Sequence, residues 1–269
     1  MSALSEALEA AKEDGRAALI GYLPVGFPDV EGSIKAMVAM VEGGVDIVEV
    51  GLPYSDPGMD GPLIQRAVEP AVRAGVGPRD ALLAAKAVAN TGAAALVMSY
   101  WNPIEHYGVH RFARDLAAVG GSGVITPDLI PDEAGAWIAA TDEADLDRVF
   151  LVAPSSTDDR IVSTVQACRG FVYAASTMGV TGTRDNVGTA AADLVARVRV
   201  LAPDAVVCVG LGVSNGEQAA QIAGFADGVI VGSAFVRCLL DAPTPAEGIT
   251  AVRGLARELA GGVRRRASA

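Results

Sequence analysis

The chemistry legible in this chain concentrates in one run, Val45-Asp46-Ile47-Val48-Glu49-Val50-Gly51-Leu52-Pro53-Tyr54-Ser55-Asp56-Pro57-Gly58-Met59-Asp60-Gly61-Pro62. Glu49 stands near the C-terminal end of an otherwise apolar strand. A carboxylate there is expensive to bury without a partner or a task. Loss of water raises its pKa, which suits a group that must both give and take a proton. A structural carboxylate that caps a loop is the other reading of the position. Asp60 lies in a loop crowded with Gly and Pro, and alone it reads as a turn residue, as does Asp56 before Pro57. Its place on the loop after the Glu49 strand makes it the candidate second carboxylate. Two carboxylates at one site can take different roles if their surroundings differ.

Two glycine-bearing turns late in the chain, Gly210-Leu211-Gly212 and Gly232-Ser233, each end an apolar run. Glycine lets the backbone approach a ligand, and N–H groups with a helix dipole favour an anion. A phosphate could be held there without Lys or Arg, although tight turns alone would also explain the glycines. The segment from Tyr173 through Thr181-Gly182-Thr183-Arg184 lacks helical periodicity. Its small polar residues suggest a mobile lid over Thr177–Val187, with Gly182 extending the phosphate cradle. A flexible surface loop fits equally.

Other candidates are weaker. His106 and His110 flank Tyr107 without Cys or carboxylate partners at metal spacing, so they read as solvated loop histidines and no metal site is expected. Ser155-Ser156 precedes a helix and reads as a cap, and Ser214 could cap the next one. No Ser or Cys nucleophile signature is present. Cys168, Cys208 and Cys238 are odd in number and widely spaced, which fits neither a metal set nor a disulfide framework. Cys208, inside Val206-Val207-Cys208-Val209, reads as a buried, inert thiol.

These residues need a scaffold that brings strand ends together. Eight short apolar runs read as strands: Ala17–Tyr22, Asp46–Gly51, Ala94–Ser99, Gly123–Thr126, Arg148–Val152, Phe171–Ala175, Ala205–Val209 and Gly228–Val231. Helical segments such as Val30–Glu42, Asp80–Asn90, Arg111–Ala118, Ala191–Leu201 and Glu217–Ala223 lie between them. Such alternation argues for a parallel sheet with crossover helices, and eight units in one domain argue for a (β/α)8 TIM barrel of the α/β class. The runner-up is an open doubly wound sheet, but no Gly-x-Gly-x-x-Gly turn follows the first strand. In barrels the strand C-terminal ends carry the chemistry, and the loops after strands seven and eight often bind phosphate. Residues 1–14 read as an extra N-terminal helix, a further helix is inserted after strand 2 from Pro62, and residues 261–269, with Arg264, Arg265 and Arg266, read as a flexible tail on a single domain spanning 1–269.

The composition agrees. The chain has 269 residues, 51% hydrophobic and 20% charged, enough for a large core. A formal net charge of -11 disfavours nucleic acid and anionic membrane surfaces. The opening segment lacks a basic n-region and no apolar run is long enough to span a bilayer, so a cytoplasmic location is expected.

Taken together, Glu49-Val50-Gly51-Leu52-Pro53-Tyr54-Ser55-Asp56-Pro57 with Asp60-Gly61-Pro62 resembles the signature of the tryptophan synthase alpha subunit family. So do Gly26-Phe27-Pro28-Asp29, Tyr100-Trp101-Asn102-Pro103-Ile104, Pro127-Asp128-Leu129, Phe150-Leu151-Val152-Ala153-Pro154, Gly179-Val180-Thr181-Gly182, Gly210-Leu211-Gly212-Val213-Ser214 and Gly232-Ser233. The resemblance implies a lyase that cleaves indole-3-glycerol phosphate into indole and glyceraldehyde 3-phosphate. It implies that Glu49 is the acid/base and that Asp60 pairs with the indole N–H, with Tyr173 lining the site. Tyr22 and Leu129 match walls of the indole pocket. Gly182, Gly212, Gly232 and Ser233 match the phosphate cradle, and Thr181 the lid residue that closes near Asp60. It further implies a beta subunit partner in an alpha2beta2 heterotetramer. Pyridoxal phosphate belongs to that partner, so no cofactor is expected in this chain. Pro53, Asp56, Asn102, Pro103, Ile104 and Asp128 match regions that face the beta subunit. Gly21, Pro24, Ile130, Thr177 and Met178 depart from the family pattern, and none touches the two carboxylates. A stand-alone lyase, another phosphate-binding barrel enzyme and a non-catalytic activator of a partner are the rival readings.

Overall fold

The computed structural model describes residues 2–175, 184–210 and 212–265, with side chains left undescribed over 184–188. Nine strand segments form one parallel sheet: β1 (Ala18–Pro24), β2 (Ile47–Gly51), β3 (Ala94–Met98), β4 (Gly123–Ile125), β5 (Asp147–Val149), β6 (Leu151–Val152), β7 (Val172–Ala175), β8 (Val207–Gly210) and β9 (Gly228–Val231). Their order is β5-β4-β3-β2-β1-β9-β8-β7-β6. The two ends of that order are consecutive in the chain, separated by Phe150 alone. Residues 147–152 therefore serve as one barrel strand, whose first half pairs with β4 and whose second half pairs with β7. The Phe150 carbonyl accepts the Tyr173 N–H at 3.1 Å and carries the seam across the break. The chain is a (β/α)8 barrel.

Helices between the strands supply the crossovers that parallel pairing requires. Several start where side chains take up orphan N–H groups. Asp29 accepts from Gly32 N–H at 2.7 Å to open Val30–Glu42. Pro62 opens the inserted helix Pro62–Arg73 at a position where a missing N–H costs nothing. Crossover helix Pro78–Ala89 follows it. The helix ahead of β6's successor is capped by Thr157, not by Ser155 or Ser156; Ser156 instead accepts from Ala153 N–H at 3.0 Å in the preceding turn. Likewise Asn215 caps Gly216–Ala223, while Ser214 donates to Gln218 Oε1 at 3.0 Å.

Alternation along the strands decides what fills the barrel. Ala18 and Ile20 of β1, Ile47 of β2, Leu96 of β3, Ile125 of β4, Val149 of β5, Cys208 of β8 and Ile230 of β9 pack together inside. The lower end is closed by the N-terminal helix Ala3–Glu13, whose Leu4, Leu8 and Ala11 share one face and join the same cluster. Ser2 caps that helix and also donates to Asp147 at 2.5 Å, tying it to β5. Continuing the period of two upward, the next inward positions are Tyr22, Glu49, Met98, Tyr173, Gly210 and Gly232, and there the filling changes character.

Two expected boundaries move. The tail anticipated from Gly261 begins later, because helix Pro245–Val263 runs on and Val263 is fully buried. The reason is a close helix crossing: a Cβ on Gly262 would lie 2.2 Å from the Gly216 carbonyl oxygen. Gly262 thus marks a contact and not a stop. Residues 266–269 lie outside the described residues. The lid expected over Thr177–Val187 overlaps helix Arg184–Leu201 at its far end. Its remainder up to residue 183, with Thr181 and Gly182, lies outside the described residues.

Candidate active site

A cavity of about 370 Å³ opens at the C-terminal mouth of the barrel, lined by Tyr22, Glu49, Asp60, Tyr173, Gly212, Gly232 and Ser233 among others. It gathers the second carboxylate loop, both tyrosines and the two late glycine turns onto the Glu49 strand. Glu49 is 1% exposed and its Oε1 has no hydrogen-bond partner among the described residues. Burial pushes its pKa from 4.5 up to about 8. At neutral pH it is mainly a neutral acid with one oxygen free to act on something that enters the cavity.

Asp60 sits across the cavity on the loop after β2. Gln65 Nε2 donates to its carbonyl oxygen at 2.8 Å, which fixes the backbone at the start of helix Pro62–Arg73. Tyr100 holds the loop from the other side, its hydroxyl accepting Met59 N–H at 2.9 Å. The same hydroxyl stands 3.4 Å from Asp60 Oδ1, long for an O–H···O bond. Burial raises the Asp60 pKa, and the Tyr100 hydrogen bond works against that rise. The carboxylate is oriented but not consumed by this contact.

Two glycines make room for the tyrosines. A Cβ on Gly51 would fall 2.5 Å from the Tyr22 hydroxyl, and one on Gly210 would fall 2.3 Å from the Tyr173 hydroxyl. Each ring therefore leans across the neighbouring strand of the barrel, as the registers Pro24↔Gly51 and Ala175↔Gly210 require. Burial, with Glu49 nearby, keeps both phenols well above their ordinary pKa, so both remain neutral donors.

At the opposite wall, Gly212 takes φ +60, a conformation that favours glycine. Gly232 precedes helix Ser233–Leu240, whose first turn has no side-chain cap. Uncapped N–H groups at a helix start are suited to an anion. The apolar wall is built by Met59, Ile64, Met98, Leu151 and Ile230. The structure does not bring Leu129 there. It lies beyond the end of β4, 5% exposed, in the outer core between strands and helices. Met98 and Leu151 line the cavity, and stepping two residues up from Leu96 would have found the first. Tyr100 has no such local signal.

The positions expected to face a partner divide. Asp56, Asn102 and Asp128 are exposed, whereas Pro53 and Ile104 are buried and offer no side-chain surface. Ile104 points into the core from helix Trp101–Tyr107, and Pro53 follows β2 directly. Asn102 donates to the Tyr54 hydroxyl at 3.0 Å, the Tyr54 and Tyr100 rings pack 5.4 Å apart, and Asp128 accepts from Trp101 N–H at 2.9 Å. This exposed rim is thus wired to the Asp60 loop through Tyr100. Among the weaker candidates, His106 and His110 are exposed; His110 Nδ1 stands 3.1 Å from Glu143. Cys208 is fully buried, and all three cysteines are free. Among the described residues, no group of three or more His, Cys, Asp or Glu is placed to hold a metal ion, and no helix is long and apolar enough to cross a membrane.

The profile of one protein family, the tryptophan synthase alpha chain, matches residues 8–263. The chain belongs to the tryptophan synthase alpha chain family. It is 63% identical to the tryptophan synthase alpha chain of Mycobacterium avium over 268 residues, covering 100% of this chain and 97% of that one. It is 60% identical to that of Thermobifida fusca over 266 residues, 98% of each chain. Among solved structures, Mycobacterium tuberculosis tryptophan synthase superposes with a TM-score of 0.91 at 59% identity, covering 98% of both chains. Family membership at this identity over the full length makes the chain a lyase of the alpha reaction: indole-3-glycerol phosphate is cleaved to indole and glyceraldehyde 3-phosphate, a step of tryptophan biosynthesis.

Proposed function

We propose that Glu49 and Asp60 carry the alpha reaction in this chain, with Glu49 as proton donor and acceptor and Asp60 as the fixed anion. One observation supports this above the others: Glu49 is buried, unpartnered and held near pKa 8 in the same cavity as Asp60. The ring–chain carbon bond of the substrate breaks only when the ring can accept its electron pair. Neutral Glu49 gives its proton to C3 of the indole ring and leaves a cation delocalised onto the ring nitrogen. Asp60 accepts the ring N–H and stabilises that cation as it forms. Glu49, now a carboxylate, takes the proton of the chain hydroxyl. The hydroxyl oxygen becomes the aldehyde oxygen, the C–C bond breaks, and its electrons return to the ring to give indole. The proton taken from the chain hydroxyl replaces the one given to C3, so Glu49 ends as the neutral acid it began as.

Tyr173 and Tyr22 flank the ring, and the apolar wall of Met98, Leu151 and Ile230 suits its faces. Gly212, Gly232 and Ser233 hold the phosphate. No cofactor takes part in this chain's reaction; pyridoxal phosphate serves a beta subunit that receives the indole. Asp56, Asn102, Pro103 and Asp128 form the face toward that subunit, within an alpha2beta2 assembly. Their link to Asp60 through Tyr54 and Tyr100 gives the partner a handle on the rate.

The test is indole release from indole-3-glycerol phosphate, with and without a beta subunit, for wild type and Glu49→Gln. Release that the partner accelerates and that the folded variant lacks supports the assignment. Release by the variant at the wild-type rate removes Glu49 from the mechanism. Absence of any partner effect favours a stand-alone lyase.

A further inference from the structure

Tyr22 is inward-facing, 7% exposed and part of the cavity wall. No hydrogen bond joins its hydroxyl to another described residue, so the O–H can meet a ligand in the cavity. The ring has a definite direction. Near its base, Cδ1 lies 3.2 Å from where a Cβ on Gly232 would stand, beside the proposed phosphate cradle. At its tip, the hydroxyl lies over Gly51, two positions above Glu49 and at the root of the Asp60 loop. The ring therefore spans the interval between the anion end of the site and the carboxylate end.

A phosphorylated indolyl-glycerol seated in this cavity must bridge the same interval with its three-carbon chain. Its polar groups are the ring N–H, the chain hydroxyls and the phosphate. The ring N–H needs an acceptor, which Asp60 supplies. The phosphate goes to the glycine turns. Only the chain hydroxyls, between those ends, are left to meet a donor at the tip of Tyr22. We propose that Tyr22 is a substrate-positioning residue whose hydroxyl donates to the oxygen of the chain hydroxyl next to the ring, holding the bond to be broken over Glu49. This rests on the seating of ring and phosphate given under the proposed function.

Burial holds the Tyr22 phenol well above its ordinary pKa, so it keeps its proton and has it to donate. The chain hydroxyl keeps its own proton for Glu49. Indole lacks the chain and loses this contact on cleavage, which favours its departure. The hydroxyl thereby distinguishes substrate from product at one atom.

The experiment compares wild type with Tyr22→Phe, which keeps the ring and removes one oxygen. Two probes are used: indole-3-glycerol phosphate as substrate, and an indolyl-propyl phosphate that has ring and phosphate but no chain hydroxyl. The expected result is a fall of about tenfold in kcat/KM for the substrate, the scale of one lost hydrogen bond of about 1.4 kcal/mol. Inhibition by the hydroxyl-free analogue should change less than about twofold, and the melting temperature should hold. Equal losses for both probes would show that Tyr22 only packs against the ring, and an unchanged kcat/KM would show that the oxygen does nothing. Both overturn the proposal. If the analogue fails to compete even in wild type, the seating of ring and phosphate is wrong and the proposal falls with it.

Discussion

Glu49 is expected to cost this protein stability for the sake of its chemistry, and the cost has a pH signature. The perturbation is Glu49→Gln, an isostere that cannot ionise. In the fold the carboxyl has a pKa of about 8, against an ordinary 4.5. A folded pKa above the unfolded one means that the fold binds the extra proton between those values. Its stabilising contribution is full below about 4.5 and is lost as pH rises through about 8. At 1.36 kcal/mol per pH unit the whole window has an upper bound of roughly 5 kcal/mol. The variant has no such loss. Its stability minus that of wild type should be flat below about pH 4.5, grow up to about pH 8 and level off above it, while indole release falls by about 10²–10⁴-fold. Taking the difference cancels all other titrating groups. Even 2 kcal/mol raises the melting temperature of a chain this size by roughly 4–8 °C. Thermal melts of both proteins from pH 5 to 9 provide the assay. Parallel curves across that range would refute the claim that Glu49 is held neutral by burial, and with it the reason for assigning it the first proton.

The same protonation sets the rate: wild-type kcat/KM should decline above about pH 8 as Glu49 ionises, and a profile flat to pH 9.5 would contradict the proton-donor role. Tyr100→Phe frees Met59 N–H and loosens Asp60, so it should lower kcat/KM several-fold and blunt activation by the beta subunit, with little change in melting temperature. Gly210→Ala drives a Cβ into the Tyr173 hydroxyl and should cost about 1–3 kcal/mol, measured by urea unfolding; adding Tyr173→Phe should recover part of it. Gly262→Ala should destabilise by a similar amount through the Gly216 carbonyl, read by the same urea unfolding.

The fold and the two carboxylates were legible because their signals are local. One acidic residue in an apolar strand, followed by a Gly/Pro loop, marks a strand end with a task whatever surrounds it. Short apolar runs alternating with helices mark parallel pairing. Contacts between distant segments leave no such trace. Tyr100 supports the Asp60 loop across 40 positions, and nothing in its neighbours says so. Residues 261–269 read as a tail until Gly216 is seen against Gly262. Strand alternation carried up from Leu96 reaches Met98, whereas Leu129, which the resemblance puts at the pocket, lies in the outer core. Pro53 and Ile104 show the same limit, since a segment can match an interface while individual side chains turn inward.

The plug at the foot of the barrel has a consequence for how the protein is made. The inner core joins Leu4 and Leu8, synthesised early, to Ile230 of β9, synthesised much later. β1 waits for β9 as well, because its second edge has no other partner. At roughly 5–20 residues per second, the opening helix emerges some 10–50 s before the floor it must seal is complete. Through that interval Leu4, Leu8 and an unpaired strand edge are exposed together. Folding is then paced by the slowest of the long-range closures, and the nascent chain is most vulnerable to aggregation just before its final strand arrives.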